Sequence, residues 1–164
     1  YIFMPAMGYK GIGYVANQLK ELGYADEIKL MTISTADNAD LLTLAGPALE
    51  GCIFNTTADM SSDRFTEITE QYYENHGASG MSLHVDGLVS FNEAKLVEYA
   101  INTAGSTDPE AMRKALEEAD YIDLITCPVQ GYDEHHNLVG FEYNVVTVQN
   151  GEFVSLGAYA TPVK

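Results

Sequence analysis

Phe91-Asn92-Glu93-Ala94, Ala104-Gly105-Ser106-Thr107-Asp108-Pro109-Glu110 and Gly131-Tyr132-Asp133 bound the stretch whose reading decides the fold. The long, largely apolar run that ends at Ala104-Gly105-Ser106 reads as a helix with a glycine stop. Thr107 or Asp108 then caps a second helix. Pro109 falls in its first turn, where a missing N–H costs nothing because that donor has no partner inside the helix. Ala111, Met112, Ala115 and Leu116 give this helix its buried face. Residues 121–127 follow as a short strand, and Asp133-Glu134-His135-His136-Asn137 as a polar turn. Two last strands, 141–149 and 152–157, flank Asn150-Gly151, a strong hairpin signal because both turn positions need positive φ.

Upstream, strands and helices alternate. Residues 1–5 are an apolar run followed by a Gly-rich turn. Ile12, Val15, Ala16, Leu19 and Leu22 then recur at helical spacing up to Gly23. Residues 28–33 read as a second strand. Asp37 is placed to cap a helix carrying Leu41, Leu42, Leu44 and Ala45, which stops at Gly46-Pro47 before a third strand at 51–56. Short connections in this β-α-β-α-β order predict a parallel sheet with helices packed on it. From Ser61 the character changes. Ser61 or Ser62 caps a helix with Phe65, Ile68 and Tyr72 on one face, closed by His76-Gly77, and residues 78–82 lead into the long helix. The compositional breaks lie near 58–61 and 138–140.

The bulk numbers narrow the function. A chain of 164 residues makes one domain or two half-domains of something larger. Eight Lys and Arg against 24 Asp and Glu leave a net charge of −16, which excludes nucleic acid as a partner, since phosphate contacts need basic residues. No apolar stretch approaches the roughly 20 residues of a membrane span. Cys52 and Cys127 both read as small buried hydrophobes. No phosphate-cradling or nucleophile-elbow motif occurs, and Gly8-Tyr9-Lys10-Gly11-Ile12-Gly13 has the wrong glycine spacing. The expectation is therefore no catalytic residue, no resident metal and no cofactor.

Laid end to end, a further set of short pieces resembles the second half of a type 1 solute-binding protein, the receptor of an ABC importer of the branched-chain amino acid class. The pieces are Glu21-Leu22-Gly23, Ile33-Ser34-Thr35, Leu44-Ala45-Gly46 and Glu50-Gly51, then Tyr72 to Gly77. Phe91-Asn92, Ala100-Ile101-Asn102-Thr103-Ala104-Gly105-Ser106, Cys127-Pro128-Val129, Asp133-Glu134 and Leu138-Val139-Gly140 complete the set. Cys127 and His135-His136-Asn137 depart from the glycines usual in that family. The resemblance implies an α/β fold of the periplasmic-binding-protein-like type 1 kind, with Rossmann-like parallel sheets flanked by helices. It further implies an incomplete piece of a two-lobed clamshell, and Tyr1-Ile2-Phe3-Met4 does read as a strand already under way. Residues 1–58 would belong to the C-terminal lobe, 59–138 to the N-terminal lobe, and 139–164 return to the C-terminal lobe. The implied setting is extracytoplasmic, with a small amino acid-like solute and an ABC transporter permease as partners. Open sheet edges in such a piece predict oligomerisation by strand or domain exchange.

In open α/β sheets, ligands bind at the carboxyl ends of strands. That rule selects Met7, Gly8 and Tyr9 after the first strand and Ser34 and Thr35 after the second. The hydroxyls offer hydrogen bonds, and Tyr9 an aromatic wall with a polar tip. By the resemblance, His84 and Asp86 approach from the opposite lobe, where Asp86 suits a cationic or amino-bearing solute or caps the long helix. Ser34 stands where relatives often carry the acid that holds a ligand ammonium, which disfavours a plain branched-chain amino acid. Two other readings stay open: a ligand-sensing domain of a receptor or regulator on the same fold, and, remotely, a metal-dependent hydrolase built on His84, Asp86, Asp133, His135 and His136.

Overall fold

Three short apolar strands, each followed by a turn and a helix or by a change of direction, line up side by side and in sequence order. The computed structural model describes residues 1–6, 8–57, 63–77 and 85–160, apart from the side chains of Arg64, Val85 and Asp86. β1 (Ile2–Phe3), β2 (Leu30–Thr32) and β3 (Ile53–Thr56) are parallel neighbours. β4 (Glu142–Gln149) joins β3 antiparallel and β5 (Glu152–Ala160) closes the five-stranded sheet, in the order β1-β2-β3-β4-β5. β1 stops short of the apolar run that suggested it because Pro5 has no N–H to give a ladder. The hairpin turns on Asn150 (φ 54°) and Gly151 (φ 78°), as its sequence requires.

α1 (Tyr9–Glu21) connects β1 to β2, and α2 (Ala39–Ala45), extended by a 3-10 turn at Gly46–Ala48, connects β2 to β3. Both lay apolar stripes on one face of the sheet. Ile12, Ala16, Leu41 and Ala45 meet Leu30, Phe54, Val146 and Val148 in one core. The register pairs Thr32 with Phe54 and Phe54 with Val146, which sets these side chains on the helix-covered face. The helices approach closely at Gly13, where a Cβ would stand 2.6 Å from Leu44 Cδ2, so any side chain there makes Leu44 shift.

The cap of α2 is shifted from the expectation. Asn38, not Asp37, accepts from the Asp40 N–H (2.8 Å), and Asp37 turns inward. A 3-10 turn at Ser34–Ala36 uses up the residues ahead of the helix and delivers Asn38 to the cap position. The cap of the later helix is as read: Asp108 Oδ1 accepts from the Ala111 N–H at 3.0 Å, ahead of Pro109.

α3 (Asp63–His76), α4 (Val85–Ala104) and α5 (Pro109–Glu117) build a different set of cores. Gly77 and Gly105 end α3 and α4 with positive φ. The residues proposed to cap α3, Ser61 and Ser62, lie outside the described residues. Ala119, Ile122, Leu124 and Val129 pack with Leu96, Tyr99 and Leu116, while Leu88 packs with Phe65, Ile68 and Ile125. Residues 121–127 are not the strand their composition suggests. One antiparallel bridge, Ile122 with Val129, folds the run back on itself around Pro128. One of its backbone N–H groups is met by Asn92, 6% exposed on α4. Asn92 Oδ1 accepts from the Ile125 N–H (2.8 Å) and its Nδ2 donates to Thr126 Oγ1 (2.6 Å).

Candidate functional site

Because β1, β2 and β3 are parallel, their carboxyl ends and outgoing loops share one edge of the sheet. Side-chain hydroxyls tie these ends together. Thr32 Oγ1 donates to the Met4 carbonyl (2.8 Å) and Thr35 Oγ1 to the Ala6 carbonyl (2.6 Å), which joins the exits of β1 and β2. Thr56 Oγ1 donates to Asp37 Oδ2 (2.6 Å), which joins β3 to the turn after β2. Asp37 is 3% exposed, so this carboxylate is part of the interior. Ser34 opens the turn, and its carbonyl accepts from the Asp37 N–H at 2.9 Å. Its hydroxyl makes no hydrogen bond among the described residues.

The expected site residues are distributed as follows. Gly8 is the exposed N-cap position of α1, in extended backbone. Tyr9 lays its half-buried ring on the core, with its hydroxyl 3.4 Å from Asp40 Oδ2 and Lys10 Nζ 6.0 Å from its ring centre. It lines a groove of about 390 Å³ between the starts of α1 and α2, with Tyr14, Asp40 and Thr43. Ser34 and Thr35 sit together on the sheet edge. Met7 and His84 lie outside the described residues. Asp86 is the second residue of α4, within the first turn, where the helix dipole favours a carboxylate. Asp37, Thr56 and Thr57 were not selected from the sequence. The carboxyl-end rule, applied to the third strand as it was to the first two, points directly at Thr56-Thr57.

The histidine-bearing turn is a closed structure of its own. Asp133 Oδ1 accepts from the N–H groups of His135 and Asn137, and Oδ2 from Asn137 Nδ2. Hydrogen bonding from the Asn137 side chain and backbone holds the Asp133 carboxyl below its ordinary range. His135 pairs with Glu134 (3.6 Å) and His136 with Glu117 (3.2 Å), so the two imidazoles serve different carboxylates. Among the described residues no three His, Cys, Asp or Glu groups stand close enough to hold a metal ion. Burial pushes the Cys52 thiol up to about 11 and raises Cys127 as well, which keeps both protonated near neutral pH. A second groove, of about 380 Å³, lies between α4 and residues 121–123, lined by Lys95, Tyr99, Asn102, Tyr121 and Asp123. No helix among the described residues is long and apolar enough to cross a membrane.

A family model described as periplasmic binding protein matches residues 7–152. The fold is shared with solved structures. A leucine binding protein, LivK, from Thermotoga maritima superimposes with a TM-score of 0.76 at 21% identity, covering 96% of this chain and 43% of that one. The branched-chain amino acid transporter substrate binding protein LivJ from Streptococcus pneumoniae, in complex with isoleucine, gives 0.72 at 15% identity, covering 98% and 44%. A solute binding protein of an ABC transporter from Rhodopseudomonas palustris, in complex with 3,4-dihydroxybenzoic acid, gives 0.73 at 18% identity, covering 96% and 44%. The chain therefore spans less than half the length of these structures. No curated protein sequence matches it.

Proposed function

The chain belongs to the periplasmic binding protein family, with the type 1 fold, and on that premise we propose that it is part of an extracytoplasmic ABC-importer receptor that binds a small solute and converts nothing. The observation that carries this reading is the shared edge of β1, β2 and β3. Three loops there are tied together by Thr32, Thr35 and the Thr56–Asp37 pair, and the Ser34 hydroxyl is left uncommitted. Such an edge presents hydrogen-bonding groups on a rigid frame, which is what solute recognition needs. Leucine, isoleucine and 3,4-dihydroxybenzoate, named with the relatives, share a carboxylate. A small carboxylate, with an amino acid foremost, is the solute class we assign here.

Binding works by closure of two lobes, with contacts made only in the closed state supplying the differential affinity. Residues 1–58 and 139–164 form the one lobe and 59–138 the other. The packing supports this division: among the described residues one apolar core draws on 4–54 and 146–153, and the other two on 65–138. His84 and Asp86 come to the solute from the second lobe, Met7, Gly8, Tyr9, Ser34 and Thr35 from the first. Delivery to a permease follows from the same reading.

A thermal-shift screen of amino acids and aromatic carboxylates tests the solute class. At about ten times its dissociation constant, a true ligand raises the unfolding midpoint by roughly 3–6 °C. Ser34→Ala reduces the shift. A screen in which no carboxylate acts, while zinc or manganese binds stoichiometrically, returns the metal-dependent hydrolase instead.

The chain also self-associates by strand or domain exchange in this reading. β1 and β5 have no outer strand neighbour among the described residues, and Phe3 on β1 is 62% exposed. Added salt promotes the association by screening the net charge of −16. A monodisperse monomer in light scattering at high concentration contradicts it.

A further inference from the structure

The strands of the sheet carry apolar side chains on both of its faces. Leu30-Met31 and Ile53-Phe54 each turn one such side chain to either side. Parallel strands of this kind occur between two covering layers. Here α1 and α2 supply one layer, over Leu30, Phe54, Val146 and Val148. On the opposite face, the register sets Phe3, Met31, Ile53, Thr147 and Val154 in one row across all five strands. None of these five joins an apolar core among the described residues. Phe3 is largely exposed, and Met31 is 40% exposed although it lies inside a parallel strand.

The same face runs on along the hairpin, where Tyr143 pairs with Tyr159 across β4 and β5. Both rings are exposed, that of Tyr159 by 60%. No charged residue stands among these seven, in a chain of net charge −16. Charge enters at the border, with Lys29 two residues before Met31 and Glu152 two before Val154. Lys29 Nζ is taken up by the Ala25 carbonyl (2.8 Å). The exposed parts of Phe3, Met31, Tyr143 and Tyr159, with the half-buried residues between them, offer roughly 500 Å². An apolar patch of that size commonly marks an interaction surface.

We propose that this face is a dimer interface, covered by the same face of a second copy related by a two-fold axis. The two sheets pack face to face, as in a β-sandwich, and each supplies the other's missing layer. Two features select a second copy as the occupant. The paired faces bury roughly 1,000 Å², about the least that a specific interface needs. Two chains of charge −16 repel, so they meet most readily where no carboxylate has to be buried, and this face has none at its centre. An interface this small gives a weak dimer, formed at chain concentrations of roughly 10–100 µM. The surface is distinct from the β1 and β5 edges, which join copies through backbone hydrogen bonds. It stands independently of the solute-binding reading.

Sedimentation equilibrium of the 164-residue chain reads the dimer dissociation constant directly. Met31→Glu puts a carboxylate on the face, where the dimer buries it unpaired, and raises that constant more than about tenfold. Tyr159→Glu, at a more exposed position, acts in the same direction and serves where Met31→Glu fails to fold. Tyr14→Glu adds an equal charge at an exposed position of α1, on the helix-covered side, and leaves the constant within about twofold. A wild-type chain that stays monomeric up to roughly 500 µM overturns the proposal, because no second copy then covers the face. A dimer that survives both face variants overturns it in favour of edge exchange. Equal loss in Tyr14→Glu overturns it as well, since net charge and not the face then governs association.

Discussion

Phe54→Ala lowers the stability of the chain by about 3–5 kcal/mol, the usual range for emptying a large aromatic from a core. Phe54 is the largest fully enclosed side chain among the described residues, 1% exposed at the middle of the sheet. Its ring packs edge-to-face on Phe153 of β5 at 5.3 Å, and its core neighbours come from α1, α2 and β4. The substitution therefore removes a group that joins the helix layer to the hairpin. A small domain holds only about 5–15 kcal/mol in all, so the variant sits near the limit of folding. Urea unfolding checks the effect through the transition midpoint, with the slope unchanged. A loss under about 1 kcal/mol would mean that the ring is not a core element.

Asp37→Ala follows at about 1–3 kcal/mol, the cost of taking a hydrogen-bond partner away from a buried polar group. Its removal takes away the acceptor of the Thr56 hydroxyl, itself fully buried, and cuts the link between β3 and the turn holding Ser34 and Thr35. The pair is separable from simple loss of volume by a double-mutant cycle. With Thr56→Val already in place, Asp37→Ala costs less by about 1 kcal/mol, since the bond between the two side chains is already gone. Strict additivity in that cycle, read from chemical denaturation, removes Asp37 from its place as the tie between the two loops.

What could be read directly from the sequence was whatever local chemistry decides. Gly23, Gly77 and Gly105 stop helices through positive φ, Asp108 caps the helix that Pro109 opens, and Asn150-Gly151 turns the hairpin. The alternation of strand and helix over the first third was equally plain, since short apolar runs give way to helical spacing between them. Tertiary choices were not legible. Asp37 and Asn38 are both good caps, and it takes the buried Thr56 hydroxyl, from another strand, to turn Asp37 inward. Residues 121–127 carry the composition of a strand, yet the Ile125 N–H is taken up by Asn92, from a distant helix, and not by a ladder. At the site, Ser34 and Thr35 looked alike in sequence. The Ala6 carbonyl separates them, committing the Thr35 hydroxyl and leaving that of Ser34 available.

Amide chemical-shift mapping during titration with the carboxylate selected by the thermal screen tests the central claim most directly. Binding at the sheet edge moves the signals of Ala6, Gly8, Ser34, Thr35 and Thr57 together, with one saturation curve. Signals that stay still there, or move only around Tyr99, Asn102 and Tyr121 in the groove beside α4, contradict it.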